Sequence, residues 1–174
     1  MLTATGSVAG RPAERPTGQN RLQLRQFDNP ATALGTAVGY LMTRPAFARL
    51  AFGTWTHVLV GQIGRRHYVF AYDADNVVGY AGWALANADE AEAWLNGEAG
   101  APADAGRTGD CLVVSAWAVT TPDAHGLLVE HLRRVGAGKN IVYGKRIYRD
   151  RHSRPIRLRT GGKPEEPGTS TRLG

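Results

Sequence analysis

The chain has 174 residues, the length of one domain that can bury a core, and a formal net charge of +6. Its single cysteine, Cys111, excludes an intramolecular disulfide framework and a cysteine-rich metal site. Charge or glycine breaks every apolar run within about ten residues, so we expect no membrane-spanning helix. Met1–Arg25 lacks the apolar core of a signal peptide, and we therefore expect a cytoplasmic protein.

The excess positive charge lies near the C-terminus. From Lys139 onward there are ten Lys/Arg against three Asp/Glu, whereas the preceding part has eleven against twelve. Such a segment suits an acidic partner, which could be a small acidic protein, a phosphate-bearing ligand, nucleic acid or an anionic membrane. Because aromatic and basic residues do not interleave in a stacking motif, nucleic acid is the least favoured of these partners.

The N-terminal part begins with residues 1–28, which lack apolar periodicity and are predicted to be disordered. Asn29 before a proline is a typical helix start. The first helix then repeats apolar residues at helical spacing: Leu34, Val38 and Leu41. Pro45 predicts a second short helix, which should carry Phe47 and Leu50 inward.

An antiparallel meander of three strands is predicted next, at Trp55–Ile63, His67–Ala74 and Val77–Ala84. The second strand alternates aromatic residues on one face: Tyr68, Phe70 and Tyr72. Asp75 and the following asparagine form the turn into the third strand.

The second half alternates helices and strands. It is predicted as a helix over Asn87–Asn96, a strand over Cys111–Val119, a helix capped at Thr121 and a last strand over Asn140–Tyr148. The C-terminal helix stripe is Leu128, Leu132 and Val135. This order predicts a globular α/β (α+β) domain over residues 29–155, followed by a basic flexible tail over 156–174.

A mixed sheet is expected from this order, in which an antiparallel meander is followed by a splayed strand and helices flank both. The third strand and the Cys111–Val119 strand can run parallel and splay apart, with one tryptophan in each. That topology is typical of the GNAT acyltransferase superfamily, and the splay would admit an acyl chain.

Candidate catalytic groups are few. His57 alternates with Trp55 and Leu59, so it could point into the fold as a base or serve as a core histidine. Asp110 enters the Cys111–Val119 strand and could be functional or a turn residue. By simple alternation, Ser115 should share a face with Cys111, Val113 and Trp117. No Gly-x-Ser-x-Gly elbow surrounds it, which disfavours a nucleophile. No His or Cys pair has metal-ligand spacing, so no metal site is predicted.

Coenzyme A binding is not favoured by the glycine pattern. GNAT enzymes that use coenzyme A hold its pyrophosphate with a glycine-rich loop and a helix N-terminus after the splayed strand. The junction assigned to that place is Leu85–Ala88, which has neither glycine nor a basic residue. An acyl donor bound at the split should therefore not be gripped through a pyrophosphate.

Taken together, several short motifs resemble the RTX toxin-activating lysine acyltransferases over roughly Ala33 to Lys163. Their order and spacing carry the resemblance, since no single piece is specific. The motifs are Leu34-Gly35 with Pro45, Gly79-Tyr80-Ala81-Gly82-Trp83-Ala84, Ala93-Trp94-Leu95-Asn96, Gly109-Asp110, Trp117 and Arg159–Lys163.

This resemblance implies a GNAT-like fold and transfer of a fatty acyl group from acyl carrier protein to lysine ε-amines of a protein substrate, an RTX-type protoxin. No bound cofactor is implied, since the carrier protein brings the acyl group. Members of the family can pair through the sheet, so a homodimer is a further expectation, although nothing in the sequence specifies it.

The residues expected at the site fall into two sets. Tyr80, Trp83, Ser115 and Trp117 are the candidates for an acyl groove, with core packing as the alternative for both tryptophans. The basic candidates for partner binding are Lys145, Arg146, Arg149 and Arg151.

The chain departs from the family at both catalytic positions. Phe47 stands where the family has its catalytic histidine, and Ala116 stands where it has its catalytic aspartate. Either another group such as His57 or Asp110 replaces them, or the chain performs no transfer. In the second case it is a catalytically silent binding or assembly module for an acyl chain, a lipid or a membrane-protein partner.

Overall fold

A computed structural model describes residues 22–102, 108–147 and 153–160. Its elements are β1 (Leu22–Arg25), α1 (Pro30–Leu41), α2 (Pro45–Ala48), α3 (Phe52–Gly64), β2 (Tyr68–Asp73), β3 (Asn76–Ala86), α4 (Ala88–Asn96), β4 (Cys111–Val119), α5 (Pro122–Val135), β5 (Ile141–Ile147) and β6 (Ser153–Arg159).

The six strands form one mixed sheet in the order β1-β2-β3-β4-β5-β6. Neighbouring strands are antiparallel except β4 and β5, which run parallel because α5 returns the chain to the same end of the sheet. The predicted α/β class is confirmed: an antiparallel meander leads into a parallel pair, and helices flank the sheet.

Apolar clusters show how the helices cover the sheet. On one face, α1 and α3 pack over Tyr68, Phe70 and Tyr80, so the predicted aromatic face of β2 is confirmed. On the same face α4 packs over the start of β4. On the other face α5 buries Leu128 among Ala81 and residues of β2 and β4, with the rest of its predicted stripe packed around it.

The helix starts follow the predicted capping chemistry. Asn29 accepts hydrogen bonds from the first-turn amides of α1, and Thr121 accepts one from Ala124 of α5. Asn87 and Glu90 form a reciprocal capping box at the start of α4. These side chains satisfy amides that have no partner inside their helices.

The predicted strand over Trp55–Ile63 is wrong, because this stretch lies in α3. Its aromatic and β-branched residues are typical of a strand. However, Trp55, Leu59 and Ile63 also recur at a spacing of four, and in the structure all three are buried. Burial of this stripe against α1 and the sheet therefore decides the conformation. The first strand of the meander is β1.

The predicted disordered N-terminal segment and the predicted flexible tail both include strand residues. Leu22–Arg25 pairs with β2, so residues 22–28 do not belong to a disordered segment. Ser153–Arg159 pairs with β5, so the predicted tail contributes an edge strand. Residues 1–21 and 161–174 lie outside the described part of the chain.

Leu50, predicted to point inward, is exposed, whereas Phe47 is partly buried as expected.

Candidate functional site

The strand β4 has a different partner on each side. With β3 it pairs over its whole length, from Gly79 opposite Val119 to Ala86 opposite Cys111. The two tryptophan-bearing strands are thus antiparallel and joined, and the predicted opening between them is wrong. The chain folds back after α4, so α4 does not act as the crossover helix that a parallel pair needs.

The opening lies on the other side of β4. Its parallel pairing with β5 runs only from Cys111 opposite Ile141 to Val114 opposite Gly144. Beyond this last pair, β4 continues to Val119, whereas β5 continues to Ile147 with β6, its partner along its whole length, as its only neighbour in the described part of the sheet. The two strands therefore split, and the backbone of Ser115 to Val119 on the β5 side is not part of a ladder in the described residues.

A β-bulge marks the place where the strands split. Gly82 faces Ala116 and Trp83 faces Val114, so Ser115 is the extra residue of β4. The bulge reverses the alternation of side chains along β4. Simple alternation had predicted that Ser115 and Trp117 share a face. Because of the bulge, they lie on opposite faces.

A buried amide connects this bulge to the helical layer. Gln62 of α3 is fully buried, and its Nε2 donates to Ser115 Oγ at 2.9 Å. Its Oε1 accepts from the Tyr80 hydroxyl at 2.9 Å. Burial raises the pKa of Tyr80, so this phenol stays protonated and remains a donor. A Cβ at Gly82 would lie 2.2 Å from Gln62 Oε1, so the network needs glycine there.

Phe47 and Ala116, the two residues that the resemblance singled out, both lie at the apolar cluster under α1 and α3. Ala116 is buried there, and Phe47 packs against the same cluster with its ring edge-on to Trp55. Neither side chain can act as an acid or a base.

The four candidate groove residues separate into two pairs on opposite faces. Tyr80 and Ser115 belong to the Gln62 network, whereas Trp83 and Trp117 pack in the α5 cluster. Trp83 is stacked on His67, with ring centroids 6.0 Å apart, and also contacts a histidine of α5. The structure therefore does not bring all four together around one groove.

Neither weak catalytic candidate lies at the split. His57 is exposed on α3 rather than pointing into the fold. The side-chain carboxylate of Asp110 accepts a hydrogen bond from the side-chain Nδ2 of Asn140 at 2.7 Å. The backbone carbonyl of Asp110 accepts a second one from the backbone N–H of Asn140. It thus fastens the start of β4 to the start of β5. Five residues of strand, about 16 Å, separate it from Ser115.

The basic candidates have different environments. Lys145 Nζ donates a hydrogen bond to the backbone carbonyl of Trp94 at the end of α4 and lies 4.7 Å from the centroid of the Trp94 ring. These contacts join β5 to α4, so this lysine has a structural role. Desolvation lowers the pKa of Lys145. Arg146 is exposed on β5, directly opposite Arg154 of β6. Arg149 and Arg151 lie outside the described residues.

Arg146 and Arg154 are directly opposite each other on the neighbouring strands β5 and β6, which brings two cationic side chains to one place on the sheet. A shallow depression of about 270 Å³ lies at this pair. Its lining residues are Arg146, Arg154, Pro155, Ile156 and Arg157. Arg157 donates to both Glu92 carboxylate oxygens and is partly neutralised by them.

The turn that follows the split strand is the one before α5, rather than the Leu85–Ala88 junction considered from sequence. Thr121 Oγ1 already accepts from the Ala124 amide, Pro122 has no N–H, and Asp123 adds a negative charge. These features disfavour a pyrophosphate at this helix start.

Two residues of the site were missed from sequence. Gln62 could have been found as an amide in the middle of the apolar stripe of α3. Arg154 lies at the boundary of the predicted tail, where no cross-strand partner was expected.

Over residues 22–102, 108–147 and 153–160, no group of three His, Cys, Asp or Glu is placed to hold a metal, and no helix is long and apolar enough to cross a membrane.

The chain shows likeness to solved structures. The chain is similar to the crystal structure of a protein from Desulfovibrio desulfuricans assigned to the GNAT family of acetyltransferases. The TM-score is 0.41 and the sequence identity is 16%, over 72% of this chain and 73% of that chain. No family profile and no curated protein matches the sequence.

Proposed function

We propose that this chain binds a fatty acyl group at the split between β4 and β5, delivered as a thioester on acyl carrier protein. In this proposal it belongs with the toxin-activating lysine acyltransferases by descent and acts as a catalytically silent binding or assembly module. The observation that carries the proposal is the loss of the β5 partner along β4 beyond Val114. A strand edge left in this way offers amides and carbonyls to an extended ligand.

The carrier protein is favoured as donor by charge. Arg146 and Arg154 lie on β5 and β6, beside the split, and would attract an acidic protein and the phosphate that links it to its acyl group. The start of α5, with Pro122 and Asp123, does not suit the pyrophosphate of coenzyme A.

The absence of turnover is supported by the side chains at the site. Attack by a lysine ε-amine needs a base, and the positions that supply acid and base in the family hold Phe47 and Ala116. Ala116 lies in an apolar cluster, so a carboxylate introduced there would be buried at a large cost. A variant that restores both family residues is for this reason a poor control for activity.

Acyl transfer is the second candidate, favoured by the polar network at the bulge. Ser115 Oγ accepts from Gln62, and its own O–H proton is not used in that bond. This hydroxyl could donate to a thioester carbonyl and stabilise the developing oxyanion. In that case Ser115 would polarise the carbonyl, and the neutral amine, having lost its proton to water, would form the amide bond as the C–S bond breaks. The carrier's sulfur would leave as a thiolate and take up a proton from water.

Binding is tested with acyl carrier protein that carries a fluorescent fatty acid, against the same carrier without an acyl group. We expect tighter binding of the acylated carrier and about tenfold weaker binding after Arg146→Glu with Arg154→Glu. Arg133→Glu on α5, on the opposite side of the sheet from α1 and α3, is the matched control. Equal binding of both carriers would contradict a role for the split.

The position of the acyl group is tested by chemical protection. The thiol introduced by Ser115→Cys, with Cys111→Ser in the background, should be modified more slowly when the acylated carrier is present. The thiol introduced by Thr54→Cys on α3 should not change. Mass spectrometry of a candidate substrate protein then distinguishes the two functions. If lysines of the substrate become acylated, and this acylation is lost when Ser115 is replaced, the chain is a transferase and not a silent binding module.

A further inference from the structure

The helical layer formed by α1, α2 and α3 has an unusual charge distribution. Between Asn29 and Tyr72 the sequence has no Asp or Glu, and its four arginines are Arg44, Arg49, Arg65 and Arg66. Neither α1 nor α3 contains a charged residue. All the arginines therefore lie at helix ends, around a helical surface that carries no charge of its own.

Large apolar side chains protrude from this layer. Phe52 is 67% exposed, Met42 59%, Val60 51% and Leu50 45%. Among the large apolar residues in the described ranges, Leu158 on β6 is the other one with comparable exposure, at 58%. Four of the five thus lie between the end of α1 and the middle of α3. Clustered exposed apolar side chains of this kind mark interaction surfaces.

The helices expose this surface because only one side of each is used for packing. On α3, Trp55, Leu59 and Ile63 face the sheet, while Gly53 and Val60 lie on the opposite side. On α1 the outward positions include Gly35 and Gly39, and no atom of the described residues lies near the place of their missing Cβ atoms. In a globular protein the outer side of such helices is normally charged.

We propose that the α1–α3 layer binds an anionic phospholipid surface, with Phe52, Val60 and Met42 in the acyl-chain boundary and Arg44 and Arg49 at the headgroups. Charge complementarity selects this partner, since Arg44 and Arg49 stand at the two ends of α2, next to the exposed apolar residues, and the sequence from Asn29 to Tyr72 has no carboxylate. Arg66 is instead paired with Asp28 at 3.3 Å. Apolar side chains that enter the acyl-chain boundary and cationic side chains that attract anionic headgroups are the two contributions to binding at a membrane interface.

This surface is separate from the proposed acyl site. The split opens at the β5 edge of β4, and its cationic residues lie on β5 and β6, whereas α1–α3 cover one face of the sheet. The two proposals therefore succeed or fail independently. A membrane contact would place the protein where fatty acyl chains are abundant.

Vesicle flotation of the full chain tests the proposal, with vesicles of phosphatidylcholine and phosphatidylglycerol against phosphatidylcholine alone. We expect binding to the anionic vesicles that is about tenfold weaker after Phe52→Ser with Val60→Ser. Arg49→Gln should weaken it about fivefold, as expected for one arginine near an anionic surface. Leu158→Ser and Arg133→Gln are the matched apolar and basic controls and should bind as the original chain does.

Because the C-terminal segment is also basic, a second measurement identifies the face that meets the lipid. Phe52→Trp and Leu158→Trp each add one tryptophan to the four native ones, at positions of comparable exposure (67% and 58%). Phospholipids with brominated acyl chains should quench the tryptophan introduced at position 52 more strongly than the one introduced at 158.

Several outcomes would overturn the proposal. They are no flotation with anionic vesicles, flotation that survives Phe52→Ser with Val60→Ser, and equal quenching of the two introduced tryptophans. Loss of a dimer in the Phe52→Ser, Val60→Ser variant would assign the face to a second copy of the chain. Loss of acyl carrier protein binding in that variant would assign it to the carrier.

Discussion

The two halves of β4 contrast in how they are held. From Cys111 to Val114 the strand has β3 on one side and β5 on the other, and its residues are packed on both faces. From Ser115 to Val119 it keeps β3 alone. The first half is thus fixed by two ladders, and the second half keeps one edge for another molecule.

The contacts at each end explain this contrast. At the start, Asp110 and Asn140 join β4 to β5, and Lys139 Nζ donates to the Gly109 carbonyl at 2.7 Å. At the bulge, the polar contact comes instead from α3, through Gln62. The chain therefore separates β4 from β5 without loosening it from the rest of the fold. The following changes test that difference.

Gly109→Ala should have the largest effect, at the closed end. Gly109 has φ +140°, and a Cβ there would lie 2.2 Å from the Ala86 carbonyl oxygen. We expect a loss of about 3 kcal/mol in the free energy of unfolding, measured by urea denaturation. Gly138→Ala, at φ +80° with open space around it, is the control and should cost about 1 kcal/mol. Equal losses would show that the closed end is not tightly packed.

Thiol reactivity should separate the two halves next. Burial, with help from Asp110, raises the pKa of Cys111 to about 11, about two units above its reference value. Its thiolate is therefore about a hundredfold scarcer at neutral pH. A thiol reagent should modify Cys111 far more slowly than the thiol introduced by Ser115→Cys in a Cys111→Ser chain. Similar rates would mean that β4 opens along its whole length.

Gln62→Leu should have an intermediate effect at the bulge. The change leaves the Tyr80 and Ser115 hydroxyls without their buried partner. We expect a loss of about 1–3 kcal/mol in the free energy of unfolding. Thr54→Ala, an exposed change on the same helix, should stay within about 0.5 kcal/mol. If Gln62→Leu left the free energy of unfolding unchanged, the hydrogen-bond network would not be what supports the bulge.

The smallest effect is expected at the ion pair of Glu92 and Arg157, which ties α4 to β6. The hydrogen bond from Arg157 lowers the pKa of Glu92 below its unfolded value. The pair thus stabilises the fold above the ordinary carboxyl range, and this contribution is lost as the pH falls through the lowered pKa. Both side chains are partly exposed to solvent, which screens the pair, so the effect is small. In acid titrations followed by circular dichroism, Glu92→Gln should reduce the stability near neutral pH and converge with the original chain in acid.

The extent of prediction from sequence differs between elements. Caps and periodic apolar residues predicted α1, α4, α5 and β4, with β4 correct at both ends. Local signals were sufficient there because each segment has one dominant period. At Trp55–Ile63 the residues satisfied two periods, and packing against α1 and the sheet chose the helix. At β1 and β6 the segments have weak patterns and become strands through their sheet neighbours.

The site was predicted in part. Ser115 and Arg146 were candidates from the sequence, and the resemblance drew attention to Phe47 and Ala116, which have no ionisable group. It paired Ser115 with Trp117, because alternation along a strand cannot reveal a bulge, which arises from the register of two strands.

The amino-acid sequence by itself determined the fold class, most helix boundaries and the single buried thiol, because these follow from local composition and period. Only the tertiary structure decided which side of β4 opens, that Gln62 supports the bulge, and that Arg146 lies opposite Arg154. Those features depend on strand partners and register, which join residues far apart in the chain.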